Sequence, residues 1–169
     1  MLTPNDKTPA VIIAGWSGSG KTTLVEKLLP VLKKKNLKVG TIKHHHGALD
    51  LDKPGKDSWR HRKAGAEKTV IASPGCVGMT MTVDHEPVLD ELMPYMTDMD
   101  LVIVEGYKKE KRPKVEIFRS AVHENPGFLD DPDLIAVASD TELVSHVPVF
   151  DLNNPEKLAV FIADYFKLS

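Results

Sequence analysis

The sequence predicts an α/β fold of three layers around a mostly parallel central sheet, and three observations carry that prediction. A short apolar run, Ala10-Val11-Ile12-Ile13-Ala14, leads directly into Gly15-Trp16-Ser17-Gly18-Ser19-Gly20-Lys21-Thr22 and then into the helical pattern Thr23 to Leu29. A second run, Asp100-Leu101-Val102-Ile103-Val104, has the continuous hydrophobicity of a strand covered on both faces and ends in Glu105-Gly106. A third, Leu134-Ile135-Ala136-Val137-Ala138, ends in Ser139-Asp140. Buried strands alternating with helical segments are the pattern of β-α-β units.

Composition sets the bounds. At 169 residues, with no internal repeat and no low-complexity stretch, the chain is expected to form a single domain over 1–169 with a sizeable core. No run approaches the roughly 20 apolar residues of a membrane span, and Met1 to Ala10 carries no apolar leader. The single cysteine, Cys76, has no internal disulfide partner, which suits a reducing, cytoplasmic setting and a small buried or turn residue rather than a nucleophile. The net charge of −2 conceals an asymmetry: Lys33 to Lys68 holds eleven Lys or Arg against four acids, and Ser120 to Ser169 two against nine. Such a division suits one face for anionic ligands. Without aromatics interleaved among the basic residues, it does not point to nucleic acid.

Taken in order, the elements follow from local pattern. A helix is expected from Lys21 to Lys35, with Leu24, Val25, Leu28 and Leu32 inward and Pro30 kinking or dividing it. Leu37 to Ile42 reads as the second strand. The polar, Gly- and Pro-rich stretch from Lys43 to Ser58 reads as a loop at that strand's carboxyl end, where open α/β sheets bind ligands. A short helix over Ser58 to Ala64 should end by Gly65. Lys68 to Ala72 and Gly78 to Val83 should be strands about the turn Ser73-Pro74-Gly75, the alternation Met79-Thr80-Met81-Thr82 marking an edge strand with one wet face. Glu86 to Met96 should be a helix. Strands follow at Asp100 to Gly106, Val115 to Arg119, Leu134 to Asp140 and Val147 to Phe150. Asn154 is then expected to cap a last helix whose core face is Leu158, Phe161, Ile162, Tyr165 and Phe166.

The chemistry is read from three places. Gly15 to Thr22 fits the phosphate-binding loop G-x-x-x-x-G-K-[ST] with its strand before and helix after, so the fold expected is that of the P-loop nucleoside triphosphatases. Backbone N–H groups over Gly15, Ser17, Gly18, Ser19 and Gly20 would point at a nucleotide's phosphates, helped by the helix N-terminus. Lys21 would reach the β- and γ-phosphates, and Thr22 would offer its hydroxyl to magnesium, which prefers hard oxygen ligands. Glu105, at the end of a buried strand, reads as the Walker B acid that holds magnesium or one of its waters. Asp140, beside Ser139, can accept from both adjacent donors of guanine, N1–H and the 2-amino group, which adenine lacks as a pair; the rival reading is a helix cap for Thr141-Glu142-Leu143.

Weaker signals complete the set. Lys43 and His44 are candidates to lie near the γ-phosphate, with His45 and His46 facing solvent or a partner, and Asp52 or Asp50 is the candidate to position an attacking water or to act on magnesium from its outer coordination shell. Arg60, Arg62, Lys63 and the run Lys108 to Lys114 are either a solvated face or the site of a second phosphorylated compound or acidic partner.

With these residues named, the sequence resembles the MobB family, the molybdopterin-guanine dinucleotide biosynthesis adaptor proteins. The resemblance covers nearly the whole chain: the phosphate loop, Thr41-Ile42-Lys43-His44-His45-His46, Asp52-Lys53-Pro54-Gly55-Lys56-Asp57-Ser58-Trp59-Arg60, Ala64-Gly65-Ala66, Val104-Glu105-Gly106-Tyr107-Lys108, Pro113-Lys114-Val115-Glu116 and Ala138-Ser139-Asp140. The resemblance implies a GTP-binding, often dimeric protein with at most slow GTPase activity. Such proteins act beside the enzyme that joins GMP to molybdopterin. It further implies Gly18, Gly20, Lys21, Thr22 and Thr23 as ligands of phosphate and magnesium (Mg2+), Glu105 as the Walker B acid and Asp140 as the reader of the base. A metallochaperone GTPase using His44 to His46 and a small-molecule kinase are the other classes that share the loop.

Overall fold

The structure, a computed structural model, describes residues 8–45, 47, 49 and 51–168. These fall into two compact units: one runs up to His44 and resumes at Leu89, and the other is His45–Val88.

The first unit is built on a six-stranded sheet in the order β2-β5-β1-β6-β7-β8, with every neighbouring pair parallel. Its strands are β1 (Ala10–Ala14), β2 (Val39–Lys43), β5 (Leu101–Glu105), β6 (Lys114–Phe118), β7 (Leu134–Ser139) and β8 (Val149–Asp151). Because all six run the same way, the residues that follow β1, β5, β6 and β7 gather at one edge. The central strands are buried on both faces, as continuous apolar runs require. On one face Val11, Ile13, Ile103, Val115, Ile117 and Ala138 pack against α1 (Lys21–Lys34) and α4 (Glu156–Tyr165) through Leu24, Leu28, Leu32, Leu158 and Ile162. On the other face Ile12, Ala14, Ile42, Val102 and Val104 pack against the short helix α3 (Leu89–Leu92) and the 3₁₀ turn Met93–Met96. This is the expected three-layer α/β architecture.

Several local expectations are corrected. α1 is not divided at Pro30; four buried leucine and valine side chains hold both halves against the sheet, outweighing the one hydrogen bond that proline removes. The helix expected over Glu86 to Met96 shrinks to α3 and a 3₁₀ turn, since Pro94 lacks the N–H a continuing α-helix needs. Pro155, not Asn154, stands at the N-cap of α4, and no side chain caps it. The buried face of α4 is Leu158, Ala159, Ile162 and Ala163; Phe161 and Phe166 line its margin and Tyr165 is exposed.

The second unit holds α2 (Asp57–Lys63) packed against a two-stranded antiparallel hairpin, β3 (Lys68–Ser73) and β4 (Cys76–Met81). The hairpin turns at Pro74-Gly75, with Cys76 exposed beside the turn. Its alternation is the reverse of a strand with its apolar side inward. Thr69 is the buried residue of β3, whereas Val70, Met79, Met81 and Val77 stand exposed.

Candidate nucleotide site

The phosphate loop leaves β1 at Gly15, whose φ of 145° lies in the left-handed half of conformational space. A Cβ there would come within 2.6 Å of the Ile117 carbonyl oxygen on β6, so only glycine lets the chain turn away so close to its neighbour. The first bond of α1, from Leu24 N to Gly20 O at 2.9 Å, starts the helix at the loop's end and leaves its earlier N–H groups facing outward. Lys21 folds back over the loop and donates to the carbonyls of Gly15 at 3.0 Å and Trp16 at 2.8 Å. Partial burial holds its ammonium below the ordinary lysine value; Lys108 and Lys43 push the same way and Glu105 opposes them.

The strand order puts β5 beside β1, and this carries Glu105 to the start of α1. The Thr22 hydroxyl lies 3.0 Å from each Glu105 carboxylate oxygen. Lys43, at the end of the next strand, places Nζ 3.2 Å from Glu105 Oε1 and 3.3 Å from Thr22 Oγ. Adjacent corners of a magnesium octahedron with 2.0–2.1 Å bonds lie about 2.9 Å apart, so the Thr22 and Glu105 oxygens fit that ion's hard-oxygen chemistry and spacing. His44 donates its backbone N–H to Glu105 O at 2.8 Å and stacks on Tyr107, ring centroids 4.4 Å apart. Gly106, at φ 101°, permits this turn: a Cβ would sit 2.6 Å from His44 Cβ.

Two strands to the other side, β7 ends in Ser139 and Asp140. Asp140 begins no helix. Its Oδ1 accepts from Ser120 N at 2.9 Å, and the turn at Thr141 is closed by Ser139 Oγ, which accepts from Thr141 N and donates to Thr141 O. Beyond it opens a cleft of about 710 Å³ lined by Ser139, Asp140, Thr141, Leu143, Phe150 and Asn153. A phosphate loop, a hydroxyl–carboxylate pair and a carboxylate at a cleft therefore share one sheet edge.

These features can be set against known proteins. The family described as MobB, molybdopterin guanine dinucleotide synthesis protein B, matches residues 10–140. The chain belongs to the MobB family. It is 42% identical over 164 residues to the molybdopterin-guanine dinucleotide biosynthesis adapter protein of Escherichia coli K12, covering 94% of each chain. Its identity to the adapter protein of the same description from Haemophilus influenzae is 36%, over 95% of this chain and 91% of the relative. The crystal structure of Bacillus subtilis MobB superposes with a TM-score of 0.74 at 27% identity, covering 92% of this chain and 96% of that one. The architecture is thus that of the MobB crystal structures.

Of the site residues expected from sequence, the first unit brings together Gly15 to Thr23, Lys43, Glu105, Ser139 and Asp140 at one edge, with His44 and the exposed Lys108 next to Glu105 in sequence or by strand pairing. Asp52 and Arg62 lie in the second unit and engage each other, Arg62 Nε 3.2 Å from Asp52 Oδ2, with the Asp52 side chain buried. Arg60 is exposed and 3.9 Å from Asp57. His46 and Asp50 lie outside the described residues. Among the described residues no three His, Cys, Asp or Glu side chains gather as a metal set. Sequence reasoning missed Arg119, Ser120 and Tyr107. Arg119 carried a usable signal, since like Asp140 it follows a buried strand directly.

Proposed function

We propose that this chain is a GTP-binding adapter of molybdopterin-guanine dinucleotide biosynthesis, assisting attachment of GMP to molybdopterin, with at most slow GTPase activity. The observation that carries this reading is the alignment, on one sheet edge, of the phosphate loop, the Thr22–Glu105 pair and Asp140 at its cleft. Lys21 turns from the loop carbonyls to the β- and γ-phosphates of a bound nucleotide, exchanging neutral acceptors for charged ones. Thr22 and Glu105 would hold magnesium, which when bound offsets the charge of the phosphates. Lys43 supports Glu105 from the side. Asp140, already oriented by Ser120 N, accepts the paired donors of guanine. Asp52, expected to position an attacking water, is instead committed to Arg62 in the second unit.

In the first unit Lys108 is proposed for a second ligand or for the guanylyltransferase that joins GMP to molybdopterin, and in the second unit Arg60 is a separate candidate for such a contact. A homodimer is proposed through the hairpin, whose face of Val70, Met79, Val77 and Met81 is exposed and whose two strands, among the described residues, form a sheet of their own. A cytoplasmic setting accords with a lone exposed cysteine and with described helices too short and polar to cross a membrane. The test is reconstitution: the chain added to the guanylyltransferase, molybdopterin and Mg-GTP should raise dinucleotide formation, and Lys21→Ala should not. Equal yield with and without the wild-type chain would contradict the adapter reading.

A further inference from the structure

We propose that Arg119 is a phosphate-binding residue supplied in cis, gripping the α-phosphate where a nucleotide passes from the loop to the base cleft, and that Ser120 positions Asp140. This rests on the nucleotide site proposed above and adds to it the link between its two ends.

The placement follows from topology. β6 is hydrogen-bonded to β1 on one side and to β7 on the other, with Phe118 in register with Ser139. The residue after Phe118 therefore emerges between the phosphate loop and Asp140. Arg119 Nε donates to the carbonyl of Ser19 at 3.4 Å, and its terminal nitrogen lies 3.5 Å from the position a Cβ on Gly20 would take. The guanidinium thus lies along the second half of the loop. Among the described residues it has no carboxylate partner, although it is partly buried. A planar cation with spare donors, held against a loop of N–H groups and unneutralised, is complementary to a phosphate.

Its position is fixed from behind. The Arg119 carbonyl accepts from Val122 N at 2.9 Å and His123 N at 3.2 Å, and that tight turn lays the His123 ring on Trp16 of the loop, centroids 4.1 Å apart and planes within 6°. Gly127 closes over the same indole: a Cβ there would be 3.2 Å from the ring. The next residue's N–H, from Ser120, is the donor to Asp140 Oδ1. One dipeptide therefore touches the phosphate loop through its side chain and the base-reading carboxylate through its backbone.

The experiment is titration of wild type, Arg119→Ala and Arg119→Lys with Mg-GTP, GMP and guanosine. Arg119→Ala should weaken GTP and GMP alike by roughly 10- to 100-fold, the range of charge-assisted hydrogen bonds to one phosphate. Guanosine affinity should stay within about twofold, and Arg119→Lys should recover part of the loss. Guanosine retention also reports that the variant is folded. An equal loss for all three ligands would make Arg119 a structural prop of the loop and overturn the proposal, as would unchanged GTP and GMP binding. If wild type binds no GTP, the nucleotide reading itself falls and takes this inference with it.

Discussion

At the scale of single residues, Lys21 and Gly15 are proposed to do distinct work. Removing the ammonium in Lys21→Ala should nearly abolish triphosphate binding, measured by calorimetric titration; wild-type affinity in that variant would refute the assignment. Gly15→Ala should destabilise the protein by about 2 kcal/mol or more, because the new methyl meets the Ile117 carbonyl from a backbone conformation that L residues avoid. Chemical denaturation checks this, and an unchanged midpoint would contradict it. The positions of both in the loop were legible in the sequence because they depend on spacing within a short stretch. Glu105 was legible too, since an acid ending a buried run is a local signal. Arg119, Ser120 and Tyr107 were not read from it, because their partners, Ser19, Asp140 and His44, lie far away along the chain and meet them only through the strand order.

At the scale of elements, β6 shows how charge can hold a strand's face. Lys114, Glu116 and Phe118 alternate with Val115 and Ile117, and Lys114 and Glu116 are buried. Lys114 Nζ pairs with Asp131 at 3.2 Å and Asp133 at 3.4 Å, and Glu116 accepts from Gly127 N and Phe128 N at 2.5 and 3.1 Å. These contacts tie the irregular segment after β6 back over the sheet and bring Gly127 to Trp16. Sequence periodicity identified the strand and missed this arrangement, since charged residues at inward positions read as solvated until their partners are known. Burial raises the Glu116 carboxyl above its usual value, the two N–H donors opposing. The folded state therefore holds that proton more tightly than the unfolded chain. Its favourable contribution is complete below the unfolded carboxyl value and is lost as pH rises through the raised folded one. Against Glu116→Gln, wild-type stability measured in urea should improve as pH falls from neutral toward 5; a gap independent of pH would contradict the burial argument.

At the scale of the whole molecule, the central sheet was readable because strands buried on both faces appear as continuous apolar runs, the pattern of parallel sheets. The hairpin's two strands and its turn were legible, but not which of its side chains face outward. Its Val, Ile and Met content resembles that of a core strand, yet Val70 and Val77 are exposed. If that face joins two copies, Val70→Lys with Val77→Lys should convert a dimer to a monomer by light scattering while leaving GTP affinity intact; a wild-type monomer, or a dimer that survives both charges, would contradict it. The central claim is that this edge of the sheet reads guanine. It is tested most directly by calorimetric titration of the wild type and Asp140→Asn with Mg-GTP and Mg-ATP. The account predicts a clear GTP preference in the wild type that the variant loses. Equal or tighter ATP binding by the wild type would contradict it.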